Sequence, residues 1–218
     1  MKIIEPFVKI QKKELDSTCI QNIEDAARIC YKSSSKTNNC SGFLEQIIKN
    51  GHESVLEHEK ITVIFTIDRG VSHEIVRHRI ASYSQESTRY CNYSHEKFGS
   101  EITVIEPFFY VGTNFYETWK YTCELIEEQY MKLTEGGTAQ EARSILPNSL
   151  KTEIVVTYNM REWRHFFKLR CSETAHPQMQ QVTIPLLLLF KSAFKPIFDD
   201  VPYNEKFPVD KYAKIIVN

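Results

Sequence analysis

Residues 61–67, Ile-Thr-Val-Ile-Phe-Thr-Ile, put Ile61, Val63, Phe65 and Ile67 on one side of an extended chain, the period of a half-buried strand. The β-branched run at 150–159, Leu-Lys-Thr-Glu-Ile-Val-Val-Thr-Tyr-Asn, predicts another strand, and 2–10 and 101–107 predict two more. Helical spacing takes over at 18–31, where Ile20, Ile23, Ala27 and Cys30 fall on one face. A polar loop at 33–39 separates this helix from one at 41–51, with Ser41 to cap its start and Gly51 its end. Residues 70–79 read as a helix. Residues 113–134 read as the longest one, closed by Gly136 and Gly137. Thr138 with Glu141, and Asn159 with Glu162, have the spacing of capping boxes. A last long helix starts at His176-Pro177 and is expected to kink at Pro185. Strands and helices interleave without the glycine-rich turn of a dinucleotide-binding unit. With no repeat and no linker, the expectation is a single α+β domain over residues 1–218.

Composition narrows what such a domain can do. The 218 residues are 42% hydrophobic and 25% charged, ordinary for a chain that buries a core. Lys and Arg number 27 against 28 Asp and Glu, a formal net charge of −1, which argues against coating a nucleic-acid polymer. No apolar run reaches the roughly 18 residues that a membrane span needs. The apolar stretch at 184–190 is too short and contains Pro185. The N-terminal residues lack the apolar segment of a secretory signal. The six cysteines show neither a CxxC nor zinc-type spacing. A cytoplasmic protein with reduced thiols is expected.

Against this even background, residues 77–90, Arg-His-Arg-Ile-Ala-Ser-Tyr-Ser-Gln-Glu-Ser-Thr-Arg-Tyr, concentrate cationic and hydroxyl donors around a single acid, Glu86. The planar fork of arginine matches phosphate oxygens. Ser84, Ser87 and Arg89 read as loop residues, where backbone N–H groups and hydroxyls can wrap a phosphate. A helix continuing through the motif would turn roughly 100° per residue, so Arg77 and Arg79 would diverge toward two anions or two subunits. The plainer alternative is a solvated basic helix end, favoured by the helix dipole. Arg143, Arg161, Arg164 and Arg170 further on weigh against it. Arg161 and His165, four apart on the helix beginning at Asn159, share a face and can reach one ligand. Arg164 fits a routine surface charge better, and Arg170 fits either a ligand contact or a capper of the last carbonyls.

His52 and His58 have no metal-binding spacing, and no metal is expected. His52, after Gly51, reads as a loop histidine, hydrogen-bonded or facing a pocket; His176 reads as a helix start. There is no GxSxG, no cysteine in an activating context and no lysine in an apolar pocket motif. Arginines without an activated nucleophile suit a cofactor that brings its own reactivity. The residues alone indicate a binder of two phosphorylated ligands.

Arg77-His78-Arg79 followed after seven residues by Ser87 is RHR-x7-S, the motif that defines the flavin-dependent thymidylate synthases. The chain resembles that family over nearly its whole length. Gly-His-Glu-Ser-Val-Leu-Glu-His at 51–58 is similar to its GHxSxxEH element, and Glu-Ala-Arg-Ser-Ile-Leu-Pro at 141–147 to its xARxxLP element. Residues 158–163 and 169–180 are similar to its C-terminal site segment, and the order is the same. Glu74 stands where the family commonly has Gln, and Thr88 where it commonly has Gly or Gln.

The resemblance implies the thymidylate synthase-complementing, flavin-dependent fold, a mixed or antiparallel sheet with interleaved helices, and a homotetramer with sites shared between subunits. It implies FAD as cofactor, with dUMP reductively methylated to dTMP using 5,10-methylenetetrahydrofolate as carbon donor and NADPH as reductant. Carried over residue by residue, Ser54, Arg77, His78, Arg79, Gln85, Asn159, Arg161 and His165 match flavin-contacting positions. Glu74, Arg77, Gln85, Glu86, Ser87, Thr88, Arg89, Arg143 and Arg170 match positions lining dUMP. Ser87 is not expected to act as a nucleophile. Arg170 matches the arginine that polarises the uracil, a cation placed to stabilise developing negative charge. His52 matches a position near flavin and folate.

Two other classes remain beside this one. A nucleic-acid module would use residues 71–79 with Tyr83 and Tyr90 for stacking, against the charge balance. A flavoprotein reductase, or a flavin-dependent nucleotide methylase with another acceptor, would keep the flavin residues but alter the dUMP set, and ranks second because Arg143, Arg170 and 84–89 are present.

Overall fold

The computed structural model describes residues 1–33 and 40–218, so most of the polar stretch at 33–39 lies outside the described residues. The chain runs β1 (Lys2–Ile4), β2 (Phe7–Ile10), α1 (Thr18–Tyr31), α2 (Cys40–Lys49), β3 (Lys60–Asp68), α3 (Arg69–Ile75) and β4 (Ala81–Gln85). It continues through β5 (Thr103–Ile105), α4 (Phe115–Gly136), α5 (Ala139–Ala142), β6 (Lys151–Asn159), α6 (Met160–Arg170), α7 (Pro177–Ala193) and β7 (Lys214–Val217). Helix and sheet are mixed, as an α+β fold requires. The chain forms two compact units. One comprises Met1–Phe7, Phe65–Arg77 and Ser84–Ile154; the other comprises Val8–Ile64, His78–Tyr83 and Val155–Asn218.

The residues expected to form one strand at 2–10 form two. Pro6 has no N–H to offer a ladder. The chain breaks at Glu5-Pro6 into β1, parallel to β5 with Ile3 opposite Val104, and β2, a member of the five-stranded sheet β4-β6-β3-β2-β7. In β3 Ile61, Val63, Phe65 and Ile67 are all buried as expected, but the alternation ends at Phe65, beyond which Thr66 and Asp68 are buried as well. In β6 it is strict, burying Thr152, Ile154, Val156 and Tyr158. Two strands escaped the sequence reading. The polar run of β4, Ala-Ser-Tyr-Ser-Gln, has no apolar alternation to betray it, and β7 is a short terminal run.

Helix ends show where local chemistry decides. In α1 the buried stripe stops at Ala27, and Cys30 is exposed. Helix α2 begins at Cys40, so Ser41 lies within it rather than before it. Its C-terminus is the expected glycine stop. Gly51 sits at φ 72°, its N–H bonds Ile48 O at 2.9 Å, and His52 N–H bonds Ile47 O at 3.0 Å. This paired closure favours a residue without Cβ at the left-handed position, and it fixes where His52 emerges. Helix α3 starts under an Asp68 cap that accepts the Val71 N–H at 2.7 Å. It ends at Ile75, short of the predicted 79. Its last turn tightens, with Arg77 N–H bonding Glu74 O at 3.2 Å, so the Arg-His-Arg motif lies outside the helix. Helix α7 continues through Pro185 to Ala193.

Each unit has its own core. In the first, Ile102, Val104, Cys123, Tyr130 and Leu150 cluster with Tyr93 and Ala142. In the second, Trp163 and Phe167 of α6 pack 5.4 Å apart by ring centroid, Phe167 and Phe190 5.2 Å, and Phe190 and Phe198 5.3 Å. Such pairs add about 0.5–1.5 kcal/mol each beyond burial. Anchoring one face of α6 in this cluster sets the direction of the other. Among the described residues no helix is long and apolar enough to cross a membrane.

Candidate active site

Helix α6 starts without a loop. Asn159 ends β6 and also caps α6, its Oδ1 accepting the Glu162 N–H at 2.8 Å. The expected reciprocal half of the capping box is not made. Glu162 sends its carboxylate to His78 instead, Oε1 lying 2.8 Å from Nδ1. On the exposed face of α6, Arg161 and His165 come together as their spacing predicted. With Asn159, Glu162, Lys168, Ile80 and the carboxylates of Glu53 and Glu57 they line a cavity of about 440 Å³, within the range of small-molecule pockets.

The Arg-His-Arg motif alternates in burial: His78 is 5% exposed, while Arg77 and Arg79 are exposed. Helical rotation therefore does not separate the two arginines, because the motif is not helical. The Tyr83 hydroxyl donates to the His78 carbonyl and lies 2.8 Å from the Tyr158 hydroxyl. The His78 ring meets Phe166 edge-on at 5.0 Å and His165 at 5.5 Å. Arg170 donates its Nε–H to His78 Nε2 at 3.2 Å. Burial first, and the charges of Arg170 and His165 after it, hold His78 below the ordinary imidazole range; the Glu162 hydrogen bond only partly offsets them.

His78, Glu162 and His165 offer ligand atoms within 4.8 Å of one another, a spacing that could take a metal ion. Both His78 nitrogens are already engaged, however, and a guanidinium faces one of them. The cluster is arranged for hydrogen bonding.

Arg164 corrects the sequence reading. It is 1% exposed, not a surface charge, and donates to Glu53 at 2.9 Å, to Asp200 at 2.6 Å and to the Ile197 carbonyl. Lying one residue after Trp163 and three before Phe167, it falls on the buried side of α6, where only paired charges survive. Ser54 is exposed on the short 3-10 turn Glu53–His58, and Arg161 pairs with Glu57 of that turn at 2.5 Å. His52 is hydrogen-bonded, its Nδ1 2.5 Å from the Tyr31 hydroxyl.

The remaining candidates lie in the first unit. Gln85 donates its amide to Ser72 Oγ at 3.0 Å and to Thr152 Oγ1 at 3.2 Å. The Glu86 carboxylate accepts from Lys151 at 2.7 Å, from the Tyr93 hydroxyl at 3.0 Å and from the Glu153 N–H at 3.3 Å. It organises its surroundings. In the loop expected to wrap a phosphate, backbone donors are engaged internally. Arg89 N–H bonds Ser87 Oγ at 3.3 Å, and Tyr90 and Cys91 N–H bond Ser87 O at 3.1 and 2.9 Å, so these donors turn back on Ser87. Ser84 is on β4, not in the loop. Thr88 is buried, and the outward group is the exposed Arg89 side chain. Arg77 and Arg143 are exposed and Glu74 is half-buried.

Burial pushes the Cys19 and Cys171 thiols up to about 12 and raises Cys91, so none of these is poised as a thiolate. Sequence reasoning missed Glu162 as a His78 partner, the Tyr83–Tyr158 pair and Lys168 in the cavity. No local signal marked the first, because the Glu162–His78 contact joins positions 84 apart in sequence.

Residues 15–194 match the family model described as thymidylate synthase complementing protein. The flavin-dependent thymidylate synthase of Geobacter sulfurreducens is 37% identical over 185 residues, covering 80% of this chain and 78% of its own. That of Pyrococcus furiosus is 36% identical over 182 residues, 82% of this chain and 69% of its own. That of Mycobacterium tuberculosis is 34% identical, 82% of this chain and 78% of its own. Matched over most of its length by the family model and by relatives of this identity, the chain belongs to the thymidylate synthase complementing protein family.

Proposed function

We propose that this chain is a flavin-dependent thymidylate synthase, converting dUMP to dTMP with 5,10-methylenetetrahydrofolate and NADPH, and that residues 1–218 act as one functional domain of a cytoplasmic homotetramer. The observation that carries the reading is the exposed face of α6, where Asn159, Arg161 and His165 line one cavity beside the buried His78–Arg170 pair. These side chains suit FAD. Arg161 and Lys168 are cations for a diphosphate, Asn159 and His165 supply hydrogen bonds, and Ile80, 68% exposed, offers apolar surface to a flat ring. To hold the diphosphate, Arg161 exchanges its exposed ion pair with Glu57 and Lys168 its longer contact with Glu53, surface pairs worth little.

When bound, FAD supplies the redox chemistry. The protein's own part is to orient and to stabilise charge. Arg89 and Arg143 are exposed cations for the dUMP phosphate, and Arg170 presents a fixed positive charge to the uracil as negative charge develops. Anaerobic incubation with dUMP, 5,10-methylenetetrahydrofolate and NADPH tests the reading. Purified protein should carry flavin absorbance, bleach with NADPH and form dTMP. Flavin-loaded protein that forms none refutes it.

A further inference from the structure

We infer that Glu162 is a positioning residue for this site: by accepting the Nδ1–H of His78 it turns the unprotonated Nε2 of that ring toward Arg170 and so fixes the guanidinium. The inference rests on the role given to Arg170 above.

Arg170 can only donate. Its Nε–H points at His78 Nε2 over 3.2 Å, so Nε2 must carry a lone pair. Of the three states open to an imidazole, only the neutral Nδ1–H tautomer satisfies this contact. An imidazolium, or the Nε2–H tautomer, would set donor against donor. The choice is made on the far side of the ring, where Glu162 Oε1 lies 2.8 Å from Nδ1. An ionised carboxylate accepts only, so it requires the proton on Nδ1.

Glu162 is free for this task because Asn159 alone caps α6. His78 and Glu162 are 5% and 7% exposed, which makes a mismatched donor pair costly. The other groups against the ring, His165, Tyr158 and Phe166, make aromatic contacts. A planar guanidinium held at Nε has its plane and its Nη edge oriented by that contact.

The histidine side-chain 15N spectrum of the wild-type holoenzyme at neutral pH reads the tautomer directly. The signals of His78, identified by their loss in His78→Gln, should show Nδ1–H; an Nε2–H or doubly protonated ring overturns the proposal. In Glu162→Gln the amide can donate as well as accept, so the Nε2–H form should become populated. The kcat for dTMP formation should then fall roughly tenfold or more, the scale of removing a partner that orients a functional histidine. Melting temperature should stay near wild type, and the rate is read per bound flavin. Glu162→Asp, which still only accepts, should keep the Nδ1–H form and recover part of the rate. An unchanged tautomer in Glu162→Gln, or a loss of flavin and stability with the tautomer unchanged, overturns the assignment. Failure of the wild type to form dTMP would refute the proposed function, while the spectrum would still decide the role of Glu162.

Discussion

Arg170 closes α6 from a half-buried position and donates its Nε–H to the Nε2 of His78. If that cation stabilises charge on the uracil, Arg170→Ala should raise the barrier to dTMP formation by about 2.7–4 kcal/mol. That is about a hundredfold or more in rate. NADPH oxidation by the bound flavin should survive. Arg170→Lys keeps the charge but loses the fork, and should also be far from neutral. Both activities falling together, with lost flavin and a lower melting temperature, would assign Arg170 to the framework instead. Arg89 makes a sharper claim about one functional group. The backbone donors of Arg89, Tyr90 and Cys91 are spent on Ser87, so in the proposed reading the phosphate contact falls to the Arg89 side chain. Arg89→Ala should weaken dUMP by about 1.5–3 kcal/mol in titration calorimetry. Deoxyuridine should bind as before, and equal losses for both ligands would exclude a phosphate contact.

Arg164 joins three elements of the second unit, holding the turn Glu53–His58 and the segment around Asp200 to α6. The Asp200 carboxyl is held below the usual carboxylate range chiefly by the Arg164 hydrogen bond. Its contribution is therefore complete above the unfolded pKa of ~3.9 and is lost as pH falls through the lower folded value. Arg164→Met should cost on the order of 3 kcal/mol at neutral pH, the low end for a broken buried pair because Asp200 is half-exposed. The gap from wild type should narrow below pH ~4. Urea unfolding across pH measures both, and a gap that ignores pH would remove Asp200 from the account.

The same elements show what was readable. Strand β3 and strand β6 announced themselves because burial imposes a period on apolar residues, and helix α4 by the glycines that close it. Strand β4 and the buried Arg164 did not, because their neighbours in space, rather than their own pattern, make them what they are. At the site, Arg161 with His165 followed from helical spacing. The Glu162–His78 contact spans 84 positions in sequence, and no local rule reaches so far.

For the whole molecule, the residues matched to flavin and those matched to dUMP fall largely in different units of one chain. In the shared-site reading, neighbouring copies complete each site. Flavin content and tetramer content should then decline together on dilution, followed by absorbance and light scattering. A monomer that keeps stoichiometric FAD would end that reading. Charge balance across the chain, −1 in all, leaves no long-range repulsion to oppose such assembly. The absence of slack at Asn159 has its own consequence for how the gene can change. A residue inserted in β6 would exchange the buried and solvent faces of the part of the strand beyond it, and one inserted in α6 would swing every later side chain by about 100°. With no loop at the junction to absorb either shift, residues 151–170 can vary in composition far more readily than in length.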